Sequence, residues 1–206
     1  MSLILPTTVR GFHDYFKLTA DPRELAQAFG YQFQADSMAL PQDGQVLSWV
    51  EALEGRLTYA LKNFTFDSET ARREFLIAPV LFEVAQHLGI SLRSEYGIQA
   101  TPQLKGALDY LMQSGQNLVV VEAKQSDLTR GFSQLTAELL AVDQWTDSKA
   151  NILFGAVSYG EVWRFGRLER AEKRITQDLD MFTIPVDTEK LVRVLIAILR
   201  GEAQAH

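Results

Sequence analysis

Asp109, Glu122 and Lys124 stand in GALDYLMQSGQNLVVVEAKQ among runs otherwise built from Leu, Val and Ala. Burying a charge is costly unless it is paired or meets a metal, so such residues in apolar strands point to a site. If Gly115 and Gln116 are the two central residues of a type II′ hairpin, cross-strand partners have numbers summing to 231, and Asp109 faces Glu122. Paired Cβ atoms lie about 4.5–5.5 Å apart, so the two carboxylates repel unless a cation joins them. Lys124 points to the same side, and Val119, Val121 and Ala123 point to the other. Mg²⁺ or Mn²⁺ suits such oxygen donors. A hard ion between two carboxylates, beside an ammonium, is equipped to hydrolyse a phosphodiester: the metal neutralises charge growing on the phosphate and lowers the pKa of a water, while the lysine orients or steadies what reacts.

Helices must frame that hairpin. DPRELAQAFG offers Asp21 as a cap, Pro22 at the first helical position and Gly30 as the stop, and QVLSWVEALEGRLTYALKNF carries apolar residues at helical spacing. A further helix is expected over Glu69–Leu88, closed by Gly89 and bent at Pro79. At about 100° per residue, Ile77, Ala78, Leu81, Ala85 and Leu88 lie within roughly 60° of Glu74, so Glu74 should point inward. Glu83 falls on the opposite side with His87 four positions on, and is read as a surface pair. Strands follow in ISLRSEYGIQ, GALDYLMQ and NLVVVEAK, then a helix capped by Ser126 and reaching Trp145. Strands NILFGAVSYG and EVWRFGRLE and a helix from Thr188 to Arg200 complete the pattern of a mixed sheet covered on both faces. Most of residues 1–44 has no clear signal.

Glu74 on a helix, Asp109 in GALDY and Glu122-Ala123-Lys124 in VVVEAK together resemble the PD-(D/E)XK nuclease superfamily, the restriction endonuclease-like fold, over about residues 69–165. The resemblance implies an α/β (α+β) fold with an αβββαβ core, a central mixed sheet flanked by helices; the core with its C-terminal helix is expected over residues 67–206, and residues 1–66 are read as a mostly helical N-terminal extension packed on it. It also implies Asp109 and Glu122 as metal ligands, Lys124 as the catalytic lysine, Glu74 as an outer metal or water ligand, and the Ala123 carbonyl as a further ligand. Leu108 stands where the motif's name has proline. Some branches carry Gln-x-x-x-Tyr on the next helix; here Gln134 is followed by Glu138. Gln125, after the lysine, faces the other way.

The resulting expectation is a Mg²⁺- or Mn²⁺-dependent nuclease acting on nucleic acid, DNA first, in the cytoplasm; a homodimer is compatible with double-strand cleavage. Arg72, Arg73, Arg93, Lys105, Arg130, Arg164 and Arg167 could line a phosphate groove, with Gln134, Arg73 and Arg130 the candidate substrate-binding residues. Trp145, Trp163 and Phe165 are read as core packing rather than base-stacking platforms.

The chain carries 20 Lys and Arg against 26 Asp and Glu, a net charge of −6, which argues against binding nucleic acid through bulk charge but leaves room for a local basic cleft. With no cysteine, thiol chemistry and cysteine-ligated zinc are excluded, and His13, His87 and His206 are isolated. LVRVLIAIL is about half the length of a membrane span. Three other readings fit the same residues: an Asp, Glu and Lys network satisfied without metal, a non-catalytic binding or assembly module on the same fold, and a glycosidase. The lysine beside the acids disfavours the glycosidase.

Overall fold

In the computed structural model, which describes residues 11–17, 21–124 and 128–202, the chain begins with two short helices, α1 (Phe12–Lys17) and α2 (Pro22–Ala28). Asp21 caps α2 by accepting from the Glu24 N–H at 2.8 Å, with Pro22 in the first turn as expected. Strand β1 (Gln32–Asp36) follows, in a stretch where the sequence carries no strand signal. Helix α3 (Val50–Asn63) buries Val50, Leu53, Leu57 and Ala60.

The helix read over Glu69–Leu88 is built in three parts. A first turn, α4 (Glu69–Arg72), is capped by Ser68, whose hydroxyl accepts from the Ala71 N–H at 3.1 Å. A π-helical turn over Arg73–Ile77 comes next, then α5 (Ala78–Leu88), closed by Gly89 in the left-handed region. Pro79 sits in the first turn of α5, directly after the wide turn. A proline there lacks the N–H that would continue the ladder and crowds the carbonyl four residues back, which the wide turn accommodates.

Three antiparallel strands follow: β2 (Ser91–Gln99), β3 (Lys105–Ser114) and β4 (Asn117–Ala123). Helix α6 (Leu128–Trp145) then leads to β5 (Ile152–Ser158), which lies parallel to β4. The expected Ser126 cap, like Gln125 and His206, lies outside the described residues. The chain continues through β6 (Val162–Glu169), β7 (Arg174–Asp178) and β8 (Phe182–Thr183) to α7 (Thr188–Arg200). The strands form one open mixed sheet in the order β1-β7-β6-β5-β4-β3-β2, with β8 on β6.

Helices cover both faces of this sheet. On one, residues of α3, α5 and α7 pack with Val119, Val121 and Ala123 of β4; on the other, residues of α1, α2 and α6 pack with Val120. The strict alternation along β4 is what turns Glu122 and Lys124 toward α6. Close seating of α6 depends on missing side chains: a Cβ on Gly155 would lie 2.7 Å from Leu135, and one on Gly131 would lie 2.7 Å from Val157 and 3.1 Å from the Lys124 stem. On the opposite face α7 holds the segment before α3, with Arg193 donating to the carbonyls of Asp43 at 2.6 Å and Gln45 at 2.8 Å. Trp163 and Phe165 are fully buried, while Trp145 is half-exposed against Tyr96. Glu83 pairs with Arg56 of α3 rather than with His87, whose ring accepts from the Trp49 indole at 3.3 Å. Among the described residues no helix is long and apolar enough to cross a membrane.

Candidate active site

The hairpin register is the one the turn arithmetic requires. Tyr110 pairs with Val121, Leu111 with Val120 and Ser114 with Asn117, each sum being 231, and Gly115 has a φ of 57°. The ladder stops one residue before Asp109 and Glu122. There the Asp109 Oδ2 accepts from the Ala123 N–H at 2.9 Å, so the aspartate side chain takes over where the backbone pairing ends. Glu122 is nearly fully buried, and its Oε1 accepts from the Lys124 ammonium. The Lys124 N–H in turn donates to the Ser158 carbonyl at 2.7 Å, and its side chain runs beneath the Phe16 ring of α1, 5.3 Å from the ring centre.

A third acid reaches this group, but it is not Glu74. Glu74 is exposed, whereas Glu69 places Oε2 3.9 Å from the Lys124 Nζ. The π-helical turn is the reason: each of its residues advances the helix by less than the usual about 100°, so a phase counted back from Leu81 through an unbroken α-helix misplaces Glu74. The same turn sends Arg73 inward, with Nη1 3.4 Å from Asp109 Oδ1 and the guanidinium 5.2 Å from the Tyr110 ring centre. That nitrogen also donates to Glu95 of β2.

Glu95 is a second unforeseen acid. Partners on β2 and β3 sum to 204, from Ser91 with Gln113 to Gln99 with Lys105, yet the ladder passes from Ser94–Tyr110 to Tyr96–Leu108 and leaves Glu95 and Asp109 unpaired. Glu95 has a φ of 51°, a left-handed conformation costing a non-glycine residue about 1–3 kcal/mol. Glu95, Asp109 and Glu122 thus occupy adjacent positions across β2, β3 and β4.

Helix α6 adds a third. Glu138 is fully buried and within hydrogen-bonding reach of Glu122; its Oε1 accepts from the Gln134 amide at 2.9 Å. Gln134, considered above as a substrate contact, is buried, and its amide nitrogen donates to Glu138. The Gln134 to Glu138 spacing was the one sequence signal for this acid; for Glu95 there was none. Arg130 lies exposed near the start of α6. Of the other cations considered for a phosphate groove, Arg72 donates to the Tyr159 carbonyl, Arg93 stacks on Tyr96, Arg164 meets Met181 and Arg167 pairs with Glu169, so they form no common row with Arg73.

The electrostatics follow from burial. Desolvation, reinforced by Glu138 and Asp109, pushes Glu122 well above the ordinary glutamate value against the pull of Lys124. Burial raises Glu138 to about 7, despite the hydrogen bonds from Glu122 and Gln134. Burial by itself would push Lys124 down, but Glu122, Glu69 and Asp109 outweigh it and hold the ammonium above its ordinary value. Lys124 is a fixed cation and not a base.

Among the described residues no group of three or more His, Cys, Asp or Glu side chains is placed to hold a metal ion. The donor chemistry, carboxylate oxygen alone, is the type that hard divalent ions take. Among the described residues Glu122 Oε2 and Glu138 Oε2 are buried and meet no donor, and buried carboxylate oxygens in that state call for a proton or a cation. Glu122, Glu138 and Asp109 offer oxygen donors of the kind Mg²⁺ and Mn²⁺ prefer. Compared with known proteins, the chain matches no family model, no curated protein and no solved structure.

Proposed function

We propose that this chain is a Mg²⁺- or Mn²⁺-dependent nuclease of the PD-(D/E)XK kind, hydrolysing phosphodiester bonds in DNA. One observation carries the reading: Asp109 and Glu122 stand side by side where the β3–β4 pairing stops, Lys124 is ion-paired to Glu122, and the second Glu122 oxygen is buried without a donor among the described residues. The order helix, three antiparallel strands, helix and parallel strand over Glu69–Ser158 agrees with the core such a nuclease requires.

When bound at these oxygens, the divalent ion would offset the negative charge that builds on a phosphate under attack and make a water easier to deprotonate. The residues supply the rest. Asp109 and Glu122, beside the point where the β3–β4 pairing stops, would hold the ion. Lys124, kept as an ammonium by its acidic neighbours, donates toward a phosphate oxygen and stabilises the charge formed as the P–O bond breaks. Glu69 and Phe16 fix the lysine's position, and Arg130, exposed near the start of α6, is the cation proposed to meet the nucleic-acid backbone. With a net charge of −6, approach of DNA rests on this local cluster and not on the long-range field.

The test is incubation of the purified chain with plasmid and with linear single-stranded DNA, in Mg²⁺ or Mn²⁺ and in chelator. Metal-dependent cleavage is expected to fall by a factor of about 100 or more in Asp109→Ala and Lys124→Ala. Cleavage that survives both substitutions, or survives chelator, overturns the mechanism. A binding or assembly module without catalysis is the second reading, favoured by the way Arg73 and Lys124 already neutralise Asp109 and Glu122. It predicts no heat of Mn²⁺ binding and tight association with a protein or nucleic-acid partner.

A further inference from the structure

We propose that Glu95 is a positioning residue of the acidic site, acting through Arg73 to keep Asp109 available for a cation; this rests on the metal-site reading above. Arg73 Nη1 is shared between two acids, Glu95 and Asp109, and Glu95 is the nearer partner. The guanidinium is anchored at the Tyr110 ring, 5.2 Å away, and springs from the π-helical turn. It therefore stays beside the strands, and what varies is how its charge is divided between the two carboxylates. Removing Glu95 leaves Asp109 as the remaining acid in this ion pair, and Arg73 then competes with a divalent ion for the same oxygen.

The backbone gives Glu95 its reach. The left-handed conformation at this one position breaks the β2–β3 ladder where Asp109 would pair. The side chain is 60% exposed, so packing does not explain a strained glutamate there; its contact with Arg73 does. The ladder break also leaves Asp109 free of β2, so that its side chain serves the Ala123 N–H on the other strand.

Titration calorimetry of the full chain with Mn²⁺ tests this. Glu95→Ala is expected to weaken Mn²⁺ binding about threefold to tenfold, and Arg73→Gln to tighten it or leave it unchanged. Combining Glu95→Ala with Arg73→Gln should give the affinity of Arg73→Gln alone, because Glu95 acts only through the arginine. Glu95→Gln, whose amide oxygen still accepts from Arg73, should stay within about twofold of the parent chain. Should Glu95→Ala not fold, Glu95→Ser, too short to reach Arg73, takes its place. Equal weakening by Glu95→Gln and Glu95→Ala would reveal a plain field effect and overturn the proposal, as would a loss that persists in the Arg73→Gln background. A parent chain that takes up no Mn²⁺ overturns the metal site together with it, whereas uptake with additive effects overturns the role of Glu95 alone.

Discussion

Glu138 lies within reach of Glu122, and among the described residues neither acid's second oxygen meets a donor, so the pair keeps a proton that free glutamates give up. Both acids bind protons more tightly folded than unfolded. The stability gained is therefore complete below the ordinary glutamate value of 4.5 and is lost as pH rises through about 7, the value reached by Glu138. Without divalent metal, the melting temperature of the parent chain should fall across that window, and Glu138→Gln, which supplies a permanent donor, should flatten the fall. An unchanged slope in Glu138→Gln would remove the pair as its cause. At this scale Asp109, Glu122 and Lys124 were legible because each interrupts an apolar run. Glu138 was half legible from Gln134 four residues earlier, and Glu95 was silent, because an exposed glutamate in a polar strand has no pattern to break.

Helix phase and strand register decided which side chains meet. The β3–β4 register could be counted from the Gly115 turn, since a two-residue hairpin fixes every pair that follows. The 69–88 helix could not be counted through: a π-helical turn has no reliable sequence mark, and one such turn replaces Glu74 by Glu69 and Arg73 at the site. Helix α6 presents the opposite case, in which an apolar helix brings Glu138 to Glu122 only because glycines let it settle. Gly155→Ala places a methyl group 2.7 Å from Leu135, and is expected to destabilise the chain by about 1–3 kcal/mol. Chemical denaturation measures it, and a neutral result would mean that α6 has room to withdraw from the sheet without cost.

One sheet joins the first and last parts of the chain, with β1 parallel to β7 over five residue pairs and α1 and α2 lying against α6. Residues before the 69–88 helix thus supply a strand and three helices to the two cores, beyond the packed helical extension that the sequence suggested. A chain begun at residue 67 exposes the β7 edge and strips the cover from α6, so it should aggregate; a monodisperse truncated chain in size-exclusion chromatography would contradict this. The sequence by itself determined the mixed α/β class, the succession from the 69–88 helix to β6, and the hairpin that sets Asp109 beside Glu122 with Lys124 on the same face. Those features depend on local periodicity and one turn, which a linear pattern records. Only the tertiary structure decided that β1 closes the sheet beyond β7, that Glu69 and not Glu74 meets the lysine, and that Glu95 and Glu138 complete the acidic row. Each of these depends on contacts between segments far apart in the chain, or on a backbone departure that burial stabilises and composition does not announce.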